Sequence, residues 1–434
     1  MATQEQQKLD VGEMITDELV EAARARIGVA APTLAWDRPW VEVASRDTMR
    51  HWAYGLGDDN PLFTDYEYAK KTRWGGLIAP PTYIYNMGST EEIPEIPKEV
   101  RDRGRGGAMA GIHGFYSGND IEFYNPVREG DKIVRIGFPI VGVDVKENSA
   151  FSGRSVIISR VRGIFWNQRN ELVAIWRDWT TRTQRAVAAG KQRKYMDIKQ
   201  PYYTPEMLKE IDELTENEEV RGALPRYWED VQVGDEMRPM VKGPILLTDL
   251  LCFLQGSEAR FAKAHKIRHQ SYKRHPRAFS LNEFGVPDVV ERVHWEDAWA
   301  RSIGNPYAYD YGWQRNAWVC NYLTNWMGDD AWLWREYDQI RRFVYIGDVI
   351  RFSGNVVDKY TSPELGCLVD VEMNLTNQRG EVVAPSRGTV ILPSREHGPV
   401  QLPRSPRELE GARVGEKFAR ATEFLTRTGY AAHR

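Results

Sequence analysis

An α+β fold in two tandem copies, each an antiparallel sheet around a central helix, is what this sequence predicts, and three observations predict it. The chain repeats itself: Asn167-Gln168-Arg169-Asn170-Glu171-Leu172-Val173-Ala174 returns as Asn377-Gln378-Arg379-Gly380-Glu381-Val382-Val383-Ala384, and Gly130-Asp131-Lys132-Ile133 returns as Gly347-Asp348-Val349-Ile350. A repeat separated by half the chain is too long for a solenoid unit and marks two diverged copies of one domain. Strand signals recur in each copy: Ser155–Arg162 and Leu172–Trp176 are rich in Val, Ile and Trp, and Val371, Met373 and Leu375 alternate with Glu372, Asn374 and Thr376. Finally, Trp313 to Met327 is apolar round nearly its whole circumference, which describes a helix buried on most sides.

The bulk composition agrees. A chain of 434 residues with 42% hydrophobic content holds two ordinary cores. With 58 basic against 61 acidic residues the net charge is −3, which excludes a nucleic-acid partner held by bulk electrostatics. Cys252, Cys320 and Cys367 lack metal-ligand spacing and read as reduced thiols, so neither a disulfide nor a metal site is expected. Met1–Asp10 has no apolar signal core and no run of eighteen apolar residues occurs, so a cytoplasmic protein with no membrane partner is expected.

Along the chain, Thr16–Ile27 reads as a helix and Trp36–Val43 as a strand. Ser45 caps a helix through Met49, Trp52, Ala53 and Leu56 that stops at Gly57. The first domain is placed at residues 1–185. A linker follows at 186–225, basic at first and then an acidic helix. The second domain occupies 226–395 and a tail 396–434. In the second copy Thr248 is read as capping a helix that ends at Gly256, the counterpart of Gly57, and an insertion runs from there to Pro287.

Gly57-Asp58-Asp59-Asn60-Pro61-Leu62-Phe63-Thr64-Asp65, then Ala69, then Trp74-Gly75-Gly76-Leu77-Ile78-Ala79-Pro80, resembles the signature of MaoC-like (R)-specific enoyl-CoA hydratases and dehydratases. That signature is Gly-Asp-x-Asn-Pro-x-His, an Ala six residues after the His, and a Gly-Gly pair before the central helix. The resemblance implies a hot dog fold, and through the repeat a double hot dog over about residues 30–395. It also implies that an Asp and a His flank the water that adds to the enoyl double bond, while a backbone N–H at the start of the central helix holds the thioester oxygen.

Departures from the signature locate the expected site. The first copy keeps Asp58, Asn60 and Pro61 but has Phe63 in place of the His, and Pro81, which has no N–H, in place of the helix-start Gly. In the second copy His294 is followed by Ala300 and Gly312 at the family's spacings, but no Asp-x-Asn-Pro precedes it. The carboxylate partner of His294 is left open among Asp288, Asp297 and Asp58, with Asp288 ranked first because it lies six residues before His294 where the family's Asp lies five before. Asn60, Asp297, Tyr309, Trp313 and Arg315 are candidate substrate contacts; Arg315 also reads as a partner for Asp329 or Asp330, and Asp310 equally as an N-cap or a substrate contact.

These residue types suit one chemistry. Hydrating an unsaturated thioester needs a base for water, an acid for Cα, and donors for the enolate oxygen. The expected activity is therefore reversible hydration of an enoyl-CoA to a 3-hydroxyacyl-CoA, with coenzyme A as part of the substrate and no metal or redox cofactor. A noncatalytic acyl-CoA-binding or partner subunit and a hot dog thioesterase are the alternatives, and a homodimer of double hot dogs is allowed for. Lys263–Arg277 carries six Lys or Arg and no acid, and reads either as a holder of coenzyme A phosphates or as a solvated loop. His265 and His269 have the spacing of a metal pair without a supporting motif, and Gly104-Arg105-Gly106-Gly107 reads as a loop.

Overall fold

One antiparallel sheet runs through both halves of the chain. In the computed structural model, which describes residues 14–29, 41–88, 98, 102, 109, 112–136, 140–149, 153–184, 193–258, 262–411, 420, 423 and 424, the first half contributes β1 (His113–Phe123), β2 (Ile133–Ile136), β3 (Ile140–Ser149), β4 (Gly153–Asn167) and β5 (Leu172–Thr183). The second half contributes β6 (Met240–Lys242), a small separate hairpin of β7 (Phe279–Leu281) and β8 (Pro287–Val289), then β9 (Trp332–Gln339), β10 (Ile350–Ser362), β11 (Gly366–Asn377) and β12 (Val382–Ile391). The sheet order is β2-β4-β5-β1-β9-β12-β11-β10-β6, with β3 beside β4. The halves join where β1 pairs with β9, from Gly118 opposite Gln339 to Glu122 opposite Arg335.

The helices with at least two turns or a bearing on the site are α1 (Asp17–Arg24), α2 (Arg46–Leu56), α3 (Pro205–Glu216), α4 (Leu247–Gly256), α5 (His265–Arg274), α6 (Asp297–Ser302) and α7 (Gly312–Met327). Ser45 and Thr48 form a capping box on α2, whose Met49, Trp52, Ala53 and Leu56 are buried, and Gly57 ends it at φ 66°. In α4 the cap differs from the expectation: Leu246 is the N-cap residue and its N–H donates to Asp249 at 2.7 Å, because Thr248 already lies inside the first turn. The counterpart of Gly256 is Gly55 rather than Gly57. A Cβ on Gly55 would stand 2.9 Å from the Cys252 carbonyl and one on Gly256 would stand 2.6 Å from the His51 carbonyl, so both glycines are needed where α2 and α4 touch.

The long helix α7 has every residue from Trp313 to Met327 buried. It packs on β1, β9 and β12, and therefore under both halves of the sheet. In the first half the corresponding position carries only the short 3₁₀ segment Pro81–Tyr85, so among the described residues the expected pair of central helices is reduced to one long helix. Part of the expected Trp36–Val43 strand, the Gly104–Gly107 loop, the start of the linker and the end of the tail lie outside the described residues; Val41 makes a single bridge to Met87. The acidic helix expected in the linker is α3, which Thr204 caps and Ile211 anchors against Val241 and Val349.

The repeated sequence proves to be a structural knot, used once in each half. Asn167 accepts from the N–H groups of Arg169 and Glu171 (both 3.0 Å), and Asn377 from those of Arg379 and Glu381 (3.0 and 3.1 Å). Arg169 then reaches Asp131 at 2.6 Å, and Arg379 reaches Asp348 at 2.6 and 2.8 Å. Each hairpin turn is thereby tied to the loop that enters the neighbouring strand. The Asp348 side chain is only 1% exposed, so truncating its partner strands a buried charge. Arg379→Ala is expected to destabilise the protein by about 3 kcal/mol, read as a lowered thermal midpoint with cavity ligand affinity retained; an unchanged midpoint would refute the knot's role.

Candidate active site

His294 and Gly312 open onto one cavity of about 420 Å³ between the two halves of the chain. The second half contributes Glu291, His294, Tyr309, Tyr311, Gly312 and Trp313, and the first contributes Phe115, Tyr116, Arg160, Arg162, Thr180 and Arg182.

The 3₁₀ turn Val290–His294 carries the two titratable side chains Glu291 and His294 to the cavity. It is held by Arg292, a 1% exposed residue whose guanidinium donates to the carbonyls of Ser280, Leu281, Asp288 and Val289, and by Trp299, whose indole N–H donates to the Val290 carbonyl at 3.0 Å. A 3₁₀ helix has three residues per turn, so side chains at i and i+3 eclipse. Glu291 and His294 are such a pair and both face the cavity.

His294 Nδ1 lies 2.8 Å from the Tyr309 carbonyl. A carbonyl only accepts, so Nδ1 carries the proton and Nε2 is left as the basic nitrogen. The ring stacks on Tyr311 at 3.7 Å between centroids. Burial lowers the His294 pKa to about 4, against the raising effect of the Tyr309 and Asp310 carbonyls, so the imidazole is neutral at ordinary pH. Burial and then the Glu291 carboxylate hold the Tyr311 phenol well above its usual range.

Gly312 is the first residue of α7, and the first amides of a helix have no acceptor within it. Its lack of a side chain matters, since a Cβ there would stand 2.9 Å from Cδ1 of Tyr116. This contact seats the helix start against β1 of the other half. The helix dipole adds positive potential at the same point.

The other expected residues fall into place as follows. Tyr309 and Trp313 line the cavity. Arg315 lines it too, but its guanidinium is held by Asp310 at 2.5 and 2.7 Å and by the Arg342 carbonyl at 2.7 Å. Asp310 is thus the ion partner of Arg315, not a helix cap, while Asp329 accepts from Tyr68 at 2.6 Å. Asp288 sits on β8 with its carboxylate accepting from the Val289 N–H at 2.8 Å and is not part of the cavity lining. Asp297 accepts from the Ala308 N–H at 2.8 Å and from Arg301 at 3.3 Å, also outside the lining. Two carboxylates border the cavity near His294: Asp310, which is committed to Arg315, and Glu291, which spacing alone had passed over.

Asp58 and Asn60 lie elsewhere. Asp58 accepts from the Asn60 N–H at 3.0 Å, and Asn60 donates to Asn325 at 3.1 Å. Asn325 is thirteen residues along α7 from Gly312, about 20 Å at 1.5 Å per residue. Asn60, Phe63 and Pro81 instead border a pocket of about 20 Å³ near the far end of α7. That space holds about one water and no thioester.

The comparisons with known proteins agree with this architecture. Residues 33–175 match the model of the FAS1-like dehydratase domain region. A UPF0336 protein of Streptomyces avermitilis is 30% identical over 90 residues, a match to 20% of this chain; the chain spans about half, 55%, of that relative's length. A UPF0336 protein of Parafrankia sp. is 28% identical over 145 residues, covering 33% of this chain and 78% of the relative. A solved structure described as a MaoC-like dehydratase superposes with a TM-score of 0.54 at 15% identity, covering 85% of this chain and 99% of its own. Among the described residues no helix is long and apolar enough to cross a membrane.

Asp58 gives a test of its own burial. Burial raises its pKa from 3.8 to about 7, above the unfolded value, so the stability that protonated Asp58 allows is lost as pH rises through about 7. Asp58→Asn is expected to stabilise the protein at pH 8 by on the order of 3 kcal/mol, a gain that closes toward pH 4. Calorimetric melting across that range checks it, and a destabilised variant at pH 8 would refute it.

Proposed function

We propose that this chain, whose fold is shared with a MaoC-like dehydratase of solved structure, hydrates and dehydrates an acyl thioester, interconverting an enoyl-CoA and a 3-hydroxyacyl-CoA in the cavity between its halves. The observation that carries this reading is the convergence of a neutral, oriented histidine, a carboxylate and a helix-start amide on one cavity large enough for a small-molecule ligand.

In the hydration direction His294 Nε2 takes a proton from the water whose oxygen bonds to Cβ. The Cα–Cβ π pair moves between Cα and the thioester carbon as the carbonyl π pair moves onto the oxygen, and the Gly312 N–H with the dipole of α7 stabilises the resulting enolate. A proton then passes to Cα from the imidazolium, with Glu291 holding the water and balancing the transient positive charge. One water has been added and the side chains regain their starting charges. The turn with Glu291 and His294 follows directly on β8, and the exposed helix α5, with Lys266, Arg268, Lys273 and Arg274, precedes the same hairpin. We assign α5 to the coenzyme A phosphates.

The decisive assay follows the enoyl-thioester absorbance with short, long and aryl enoyl-CoAs. Wild type is expected to remove the band, and His294→Ala or Glu291→Gln to slow it by about 10²- to 10⁴-fold, with Asp288→Asn within about threefold of wild type. An unchanged band across the panel, with the esters nonetheless bound, would mark a binding subunit instead. Because the His294 pKa is depressed to about 4, the acid limb of kcat/KM is expected near pH 4 rather than near 6.5.

Gly312 can be tested separately. Proline is accepted at the first position of a helix, as Pro81 is in the first half, but it has no N–H. Gly312→Pro and Gly312→Ala share the added Cβ beside Tyr116, so their ratio isolates the donor; kcat for the proline variant is expected to be about 10²- to 10³-fold below that of the alanine variant. Equal rates would remove Gly312 from the oxyanion site.

A further inference from the structure

The first half's wall of the cavity is cationic, and one cation in it has no counterion among the described residues. Arg160 and Arg162 stand two apart on β4, on the same face, and share a single carboxylate. Arg160 binds Asp178 at 2.5 and 3.1 Å, and Arg162 binds it at 2.8 Å; the Asp178 side chain is wholly buried. Although burial works to raise it, these two guanidiniums hold the Asp178 carboxyl below its ordinary range.

Arg182, from β5, has no such answer. Its Nη1 donates to the Ile112 carbonyl at 3.3 Å, and among the described residues its buried Nε has no hydrogen-bond partner and no carboxylate forms an ion pair with it. The buried Nε of Arg162 is likewise unmatched. Of the remaining acids on the cavity wall, Asp310 is committed to Arg315, and Glu291 lies beside Tyr311 on the catalytic turn. The place of Arg182 is built: a Cβ on Gly114 would stand 2.6 Å from its Nη1 and 2.9 Å from its Cζ, so glycine at that position lets the guanidinium lie across β1. Burial, and then the charge of Arg160, lower the Arg182 pKa to about 10, which still leaves it protonated at neutral pH. A buried guanidinium with open donors and no anion is a costly arrangement that an entering anion relieves.

The proposed function limits what that anion is. With the coenzyme A phosphates assigned to α5 of the second half, the part of the ligand beside the first half's arginines, in the same cavity as His294 and Gly312, is the acyl chain. A guanidinium fork matches a carboxylate in plane and spacing. Resting on the hydratase reading, we propose that Arg182, backed by Arg162, binds a carboxylate at the end of the acyl chain, so that the substrates are thioesters of dicarboxylic acids.

Saturated thioesters test this apart from catalysis, because they have no double bond to hydrate. Calorimetric titration would compare glutaryl-CoA, valeryl-CoA and free coenzyme A on the full chain. Wild type is expected to bind glutaryl-CoA about tenfold or more tighter than valeryl-CoA. Arg182→Gln should bring that ratio close to one by weakening glutaryl-CoA alone, with Arg182→Lys intermediate. Equal affinity of the two esters in wild type would overturn the proposal. A loss shared by valeryl-CoA or free coenzyme A in Arg182→Gln would also overturn it, by assigning the arginine to the common part of the ligand. If the glutaryl preference is found but the matching unsaturated diacid thioester is not hydrated, the carboxylate site stands and the hydratase reading falls.

Discussion

The antiparallel pairing of β1 with β9 is the constraint on which the site depends. It makes two half-sheets into one and places the Val290–His294 turn of the second half opposite the arginine wall of the first. Side chains reinforce the seam: Arg335 grips Asp120 at 2.7 and 2.6 Å, the Trp332 indole donates to the Phe123 carbonyl, and Asn119 reaches Asp338. Asp338 also receives Asn316 of α7 at 2.5 Å, so strand pairing and helix position are fixed by the same residue. Separated halves would expose β1 and β9 as open edges and leave α7 with half its cover.

One long helix serving two half-sheets makes the halves unequal. At the start of α7, Gly312 brings the helix N-terminus to Tyr116 and the cavity is open; near its other end, Asn60, Phe63 and Pro81 close down to a space of about 20 Å³. The sequence repeat is blind to this difference because the repeated residues tie turns to strands in both halves and perform no chemistry. Asp131 and Asp348 are each held by an arginine and a glutamine in the same way.

Much of the fold was legible because it follows from local rules. The Ser45 cap, the burial of α7 and the alternation of Val371, Met373 and Leu375 in β11 depend on periods within a dozen residues. That His294 and Gly312 border one cavity was legible through family spacing. Glu291 was not, since the expected carboxylate was sought by distance in sequence, whereas a 3₁₀ turn aligns residues three apart. The arginine wall was harder still: Arg160 and Arg162 alternate within an apolar strand, which is a signal for an inward polar face, but their meeting with Arg182 and with the second half depends on sheet register. Arg315 pairing with Asp310 is also a matter of how α7 begins, which no spacing rule separates from pairing at its far end.

The most direct measurement is hydration of an unsaturated acyl thioester in heavy-oxygen water, with the products read by mass spectrometry. If His294 and Glu291 activate a water for Cβ, wild type places the heavy oxygen in a 3-hydroxyl group of the intact thioester, and Glu291→Gln does so far more slowly. Heavy oxygen found instead in a released carboxylate would mean attack at the thioester carbonyl, and would contradict hydration as the work of this site.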